Sequence, residues 1–288
     1  MVPCGETRSL LIVTLDSCRY DSALHANTPF LDSLSNVHPA LAHATFTLPA
    51  HTAMFAGYFP LVDRLRGLES PLALRDLPTA RRPGLTKSRG RGFSKGVNLI
   101  DGLREYGYRT VGAGGVRWFA GEQLRQGFDQ FLYWSPAYNP QDVDLPAWEA
   151  PNFALSHPQK LAAALPAWPE PWLLFINAAE THAPYVASDA ILQQQRQYAH
   201  ARNAKASILD DSRFERLMIE LRECQQNAVA IVDAKLRRLF ETLPGSFDFI
   251  VTSDHGESFG EQGLWGHVHS APEVFRVPLW QGRYSRSL

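Results

Sequence analysis

Phe247-Asp248-Phe249-Ile250-Val251-Thr252-Ser253-Asp254-His255-Gly256-Glu257-Ser258-Phe259-Gly260 is an apolar run that breaks off into a polar turn. Residues 247–251 have the length and apolar character of a buried strand. In α/β folds the ends of such strands are where ligands collect. Asp254 and His255 put a carboxylate next to an imidazole, and Gly256 is expected to let the backbone turn sharply. Taken alone, an Asp-His pair is a polar turn. Further ligands elsewhere in the chain make it the chemistry of a divalent-metal site.

Working outward, the 288 residues suffice for a sizeable core, 45% of them being hydrophobic. We expect one domain over residues 1–288, with inserts at about 58–97 and 128–170. The net charge is −1, so nothing global points to nucleic acid or to a membrane surface. The three cysteines, Cys4, Cys18 and Cys224, form neither a metal-type spacing nor a disulfide framework. No apolar run is long enough to span a bilayer, and residues 10–13 are too short for a signal segment. The expected location is the cytoplasm.

Residues 9–15 read as a strand buried on both faces, closing in Asp16-Ser17-Cys18-Arg19-Tyr20-Asp21. Asp16 there is either a turn or cap residue or a ligand. Arg19 and Asp21 are expected to brace the turn. Thr28-Pro29 opens a short helix to Leu34. A strand end near Thr45, a turn at 47–49 and a helix from Pro49 to Ala56, stopped by Gly57, put Thr47 just before a helix N-terminus. That position suits an anion as well as a plain cap. Residues 58–97 are strongly basic. They form either a solvated linker or a lid whose cations, Lys95 among them, clamp phosphate, or they dock a partner. Residues 98–106 form a helix and 108–113 the next strand; 128–160 read as surface connection. Residues 172–176 are another buried strand, followed by Glu180 and His182. A long amphipathic helix over 211–243 leads into the Asp254-His255 strand.

This αβ alternation predicts a mostly parallel sheet with helices on both faces. Four strand ends then carry polar chemistry along one edge: Asp16, Thr47, the Glu180/His182 pair and Asp254-His255. The set Asp16, Thr47, Asp254 and His255 suits one Zn²⁺ or Mn²⁺. Beside a metal the Thr47 hydroxyl becomes a nucleophile, and the helix N-terminus behind it would stabilise negative charge building on phosphorus.

The chain resembles the alkaline phosphatase and sulfatase superfamily. The residues that carry the resemblance are Leu11-Ile-Val-Thr-Leu-Asp16-Ser-Cys-Arg19-Tyr-Asp21, Ser253-Asp254-His255-Gly-Glu257-Ser-Phe-Gly-Glu261 and Arg276-Val-Pro-Leu279. The resemblance implies an alkaline phosphatase-like fold, here a minimal version lacking the sulfatase C-terminal subdomain. It departs from the sulfatase pattern at the nucleophile. Thr47 stands where sulfatases have the cysteine that becomes formylglycine, and His51 stands at their arginine. Gly115 and Arg117 stand where they keep Lys and His. A threonine nucleophile resembles the phosphoethanolamine transferases and lipoteichoic acid synthases, as does a histidine twelve residues after His255, which is His267. Their pattern also has a histidine at His182. The resemblance implies that His267 or His182 protonates a leaving oxygen or binds the phosphoryl group. Glu180, His182, His267 and His269 could hold a second metal weakly, which is not expected, because Asn177 and Thr181 break the two-metal pattern. His51, Glu180, His269, Arg117 and Lys95 are candidate substrate contacts. The reading is a metal-dependent phosphatase, phosphodiesterase or phospho-group transferase. Its partner would be a phosphorylated small molecule or a phosphorylated group on another protein. A sulfate ester hydrolase without formylglycine, and a binding protein on a retired scaffold, stay open as alternatives.

Overall fold

The computed structural model describes residues 8–57, 98–134, 153–167, 170–183, 185, 193 and 211–285. Strand β1 (Ser9–Leu15) lies at the centre because every residue of it is apolar or bonded within the sheet. It pairs in parallel with β5 (Trp172–Ala178) on one side and with β6 (Phe247–Ser253) on the other. Beyond β5 come β3 (Arg109–Gly114) and β4 (Gln130–Tyr133), both parallel. Beyond β6 come β9 (Arg276–Tyr284), which runs antiparallel, and β2 (His38–Leu41), antiparallel to β9. The order is β2-β9-β6-β1-β5-β3-β4, so β9 alone runs against the rest. A two-residue hairpin, β7 (Ser258–Phe259) with β8 (Trp265–Gly266), stands outside this sheet.

Alternation along β1 divides the core in two. Leu11, Val13 and Leu15 pack with helices α1 (Tyr20–His25), α2 (Pro29–Leu34), α5 (Pro158–Ala163) and the long α6 (Asp211–Thr242). Ile12 packs on the other face with α3 (Thr47–Ala56) and α4 (Leu99–Glu105). Helices thus cover both faces, as the parallel pairing requires. The even-numbered residues of β1 face α3, and Asp16, continuing that parity, is aimed at Thr47.

Several expectations are corrected. No strand ends near Thr45: β2 stops at Leu41, and its residues are mostly exposed at the sheet edge. Helix α3 begins at Thr47 rather than Pro49, with Phe46 as its cap. Pro49 fits inside the first turn because N–H groups there have no helical acceptor. Residues 128–160 are not surface connection throughout. Residues 130–133 extend the sheet, while Leu155 is buried in the α6-side core. The basic segment 58–97, with Lys95, lies outside the described residues. Gly256 has no positive φ; it is required for a different reason, since a Cβ there would lie 2.1 Å from the Glu273 carbonyl oxygen. Its amide donates to Val274 at 2.7 Å, drawing helix α7 (Pro272–Phe275) against the turn.

Candidate metal centre

Register builds the site. Leu15 pairs with Ala178 on β5 and with Ser253 on β6. The next residues, Asp16 and Asp254, therefore leave adjacent strands at the same level. Asp16, Asp254 and His255 are all buried, and each offers a ligand atom within 4.8 Å of the others. His255 Nε2 lies 3.8 Å from Asp16 Oδ1 and 3.6 Å from Asp254 Oδ2.

The backbone around these groups fixes how they face. Asp16 donates its amide to the Ala178 carbonyl at 2.9 Å, and its own carbonyl accepts from Thr181 Oγ1 at 2.8 Å. Ser17 adopts a left-handed conformation, φ 61°, which sends its amide to Asp254 Oδ1 at 3.2 Å. The Ser253 hydroxyl accepts from the Cys18 amide at 3.0 Å and lies against the carbonyls of Leu15 and His255. His255 Nδ1–H donates to the Gly256 carbonyl at 2.9 Å, because a carbonyl only accepts. That bond sets the tautomer and leaves the Nε2 lone pair facing the carboxylates. Neither His255 Nε2 nor Asp254 Oδ2 has a hydrogen-bond partner among the described residues. Two buried, orphaned acceptor atoms facing each other beside a second carboxylate fit a divalent cation.

The titration behaviour agrees with this geometry. Burial drives Asp254 well above the usual carboxylate range, and the neighbouring Asp16 adds to it. Burial also works against Asp16, but the imidazoles of His182, His255, His51 and His267 outweigh it and hold Asp16 below its ordinary value. Burial pushes His255 well down, and His267 adds to the shift. Like charges crowd one carboxylate out of ionisation, an imbalance that a cation would remove.

Thr47 opens α3 with its hydroxyl donating to Asp16 Oδ2 at 3.4 Å. The amide of Asn177 donates to the same oxygen at 3.3 Å. His267 joins the cluster, its ring centre 4.5 Å from that of His255 and 5.5 Å from that of His182. Its Nδ1 lies 3.3 Å from both oxygens of the buried Glu257. His182 donates Nδ1–H to the Ala183 carbonyl. Thus Asp16, Thr47, Asp254, His255, His182 and His267 come together.

The other candidates do not join them. Glu180 turns toward α6 and pairs with Lys235 at 2.9 Å, so the expected Glu180/His182 pair is split. His51 is fully buried; Nδ1–H donates to the Thr47 carbonyl at 2.8 Å, and Nε2 accepts from the Thr14 hydroxyl at 2.9 Å. It props the turn that carries Thr47 among Phe55, Phe119 and Phe175, with Nδ1 3.7 Å from Asp254 Oδ2. His269 closes its own turn through the Gly266 carbonyl and the Ala271 amide. Arg117 is exposed on a short turn after β3. Sequence reasoning missed Glu257, although it sits inside the quoted motif, and Asn177, which was read only as a break in a pattern.

An α/β sheet with this strand-end cluster defines an alkaline phosphatase-like domain. The family model described as Sulfatase matches residues 8–279, and the chain belongs to that family. A search of curated proteins finds no match by sequence. Among solved structures, the chain is similar to the phosphonate monoester hydrolase of Agrobacterium radiobacter, with TM-score 0.64 and 15% identity, over 95% of this chain and 68% of that one. It is similar to the C-terminal periplasmic domain of Escherichia coli EptC in complex with Zn, with TM-score 0.58 and 15% identity, over 96% and 74%. The corresponding domain of the phosphoethanolamine transferase EptC from Campylobacter jejuni gives TM-score 0.56 and 14% identity, over 97% and 80%. At such identities these likenesses concern the fold. Among the described residues, no helix is long and apolar enough to cross a membrane.

Proposed function

We propose that the chain is a metal-dependent phosphoryl-transfer enzyme with Thr47 as nucleophile. The observation that carries this reading is the Thr47 hydroxyl, set at the N-terminus of α3 and 3.4 Å from Asp16 Oδ2, beside the orphaned atoms of Asp254 and His255. Asp16, Thr47, Asp254 and His255 would hold one Zn²⁺ or Mn²⁺. When bound, such an ion polarises a phosphoryl oxygen and lowers the pKa of a neighbouring hydroxyl. The Thr47 hydroxyl loses its proton to solvent as its oxygen forms its bond to phosphorus in line with the departing oxygen, and the α3 N-terminus meets the negative charge that develops. His267, oriented by Glu257, or His182 gives a proton to the leaving oxygen as its bond to phosphorus breaks. Water or an acceptor alcohol then releases the phosphoryl group from Thr47. The substrate is a phosphorylated small molecule or a phosphorylated group on a partner. Cys18 and Cys224 are free thiols, which supports a cytoplasmic setting.

The test is turnover of aryl phosphate mono- and diesters, an aryl phosphonate ester and an aryl sulfate, by protein loaded with Mn²⁺ or Zn²⁺. Phosphorus esters should be turned over, and Thr47→Ala should lower kcat by about a thousandfold or more. Preference for the sulfate, or near-normal turnover by Thr47→Ala, overturns the reading.

A further inference from the structure

Helix α6 presents a buried apolar stripe to the sheet and the strand-end turns: Leu217, Leu221, Val229, Val232, Leu236 and Leu239, each no more than 1% exposed. The spacing leaves position 225 inside the stripe, and the residue there is glutamine, 0% exposed. A polar amide at such a place is disfavoured unless its hydrogen bonds are made.

They are made to the turns that carry the site. Gln225 Nε2 donates to the Ser17 carbonyl at 2.9 Å and lies 3.3 Å from both the Thr181 carbonyl and the Tyr185 hydroxyl. Its Oε1 accepts from the Arg19 amide at 3.5 Å. The orientation of the amide is not arbitrary, because the Ser17 and Thr181 carbonyls only accept. Ser17 is left-handed without being glycine, a conformation that persists only where the surroundings hold it. In that conformation its amide reaches Asp254 Oδ1 while its carbonyl is turned into the protein, where a donor is needed. Thr181, the second acceptor, directs its own hydroxyl to the Asp16 carbonyl and precedes His182. One side chain therefore ties together the turns after β1 and β5.

The geometry points to Gln225 as a positioning residue of the metal centre. By holding the Ser17 carbonyl it keeps the Ser17 amide on Asp254 Oδ1, which leaves Oδ2 directed at His255 Nε2. By holding Thr181 it fixes the turn that carries His182. Gln225 touches neither metal nor substrate, and the inference rests on the metal site proposed above.

The test uses the full chain stripped with chelator and titrated calorimetrically with Mn²⁺ and Zn²⁺, together with the visible spectrum of the Co²⁺ form. Gln225→Leu removes the donor. Gln225→Glu keeps the shape but turns an oxygen toward two carbonyls. Asp233→Asn is the control: Asp233 is also buried on α6, but it holds the amides of Phe30 and Leu31, away from the metal ligands. Each Gln225 variant should lose about 10–100-fold in metal affinity and alter the Co²⁺ bands, as substitutions behind metal ligands do. Asp233→Asn should melt earlier with unchanged affinity and spectrum. If Gln225→Leu does not fold, Gln225→Glu decides. Wild-type affinity and an unchanged spectrum in a folded Gln225 variant overturn the inference while leaving the metal site standing. Failure of the wild type to bind any of the three ions removes the metal reading and this inference together.

Discussion

The Oδ2 oxygen of Asp254 and the Nε2 nitrogen of His255 lie 3.6 Å apart in the interior, and neither has a hydrogen-bond partner among the described residues. Without a cation this arrangement works against folding. Burial and the nearby Asp16 raise the Asp254 carboxyl well above its ordinary range. A group whose pKa is raised by folding binds protons more readily in the native state. Stability is therefore lost as pH rises past the unfolded carboxylate value, about 4. Asp254→Asn removes that penalty, and its amide can donate toward Nε2. In the presence of chelator, Asp254→Asn should melt a few degrees above wild type at pH 7, with the gap closing near pH 4. Adding Mn²⁺ or Zn²⁺ should reverse the order, because only wild type gains from binding. Equal melting of the two metal-free proteins at pH 7 would speak against the strained pair.

His51 gives a pH dependence of opposite sign. Burial lowers its pKa from 6.5 to about 4, against the pull of the Thr47 carbonyl and of Asp16. Asp254 Oδ2 also lies 3.7 Å from the ring. Between those two values the unfolded chain binds a proton that the folded one refuses, so stability falls as pH drops from 6.5 toward 4. The full difference corresponds to about 3 kcal/mol. Because the raised Asp254 carboxyl acts with the opposite sign over the same range, the effect is read as a difference: in urea unfolding of the metal-free protein, wild type should lose stability relative to His51→Gln as pH drops from 6.5 toward 4. His51→Gln should also loosen the turn at Thr47. Identical slopes would remove His51 as the source.

The sheet was legible because parallel strands buried on both faces must be nearly continuous apolar runs, and residues 9–15, 172–176 and 247–251 are. The site was legible where it follows those runs directly, as at Asp16 and Asp254. It was less legible where tertiary packing decides. Thr47 reaches Asp16 from a helix, so looking for a strand before it gave a strand that is absent. β4 is short, and all four of its residues are only half-buried, so its signal is weak. Glu180 and His182 are two residues apart and were read as a pair. A 3-10 turn sends one to α6 and the other to the cluster. Nothing local marks Lys235, 55 positions away, as the partner of Glu180.

That ion pair supports a prediction that separates fold from chemistry. Lys235 Nζ donates to Glu180 Oε1 at 2.9 Å and to Ser156 Oγ at 3.0 Å, and lies over the Phe153 ring. Both side chains are largely buried, at 13% and 3% exposure. Removing one charge strands the other, at a cost of about 3 kcal/mol or more. Glu180→Gln should lower the urea midpoint substantially while metal affinity stays that of wild type. Loss of metal from a folded Glu180→Gln would place Glu180 back among the ligands.

Arg19 joins the two turns that carry the carboxylates. Its Nε and Nη2 form a fork on Asp21, at 2.5 and 2.7 Å, and its Nη1 donates to Glu261 Oε1 at 2.7 Å and to the Glu257 carbonyl at 3.3 Å. Arg222 closes the network on Asp21 at 2.6 Å. A lysine keeps the charge but cannot reproduce the planar fork. Arg19→Lys should therefore cost about 2–3 kcal/mol at neutral pH, somewhat less than outright removal of a buried partner. For Asp21 and Glu261 burial alone would raise the pKa, but hydrogen bonds and charge from Arg19 hold both carboxyls below their ordinary values. With folded values depressed, the stabilisation is present above the unfolded carboxylate pKa and disappears as pH falls through the folded ones. The difference in urea midpoint between wild type and Arg19→Lys should thus be full at pH 7 and shrink below about pH 4. A difference that persists unchanged in acid would mean that Arg19 acts through packing against Phe259, whose ring centre lies 5.5 Å from its guanidinium carbon, and not through the two carboxylates.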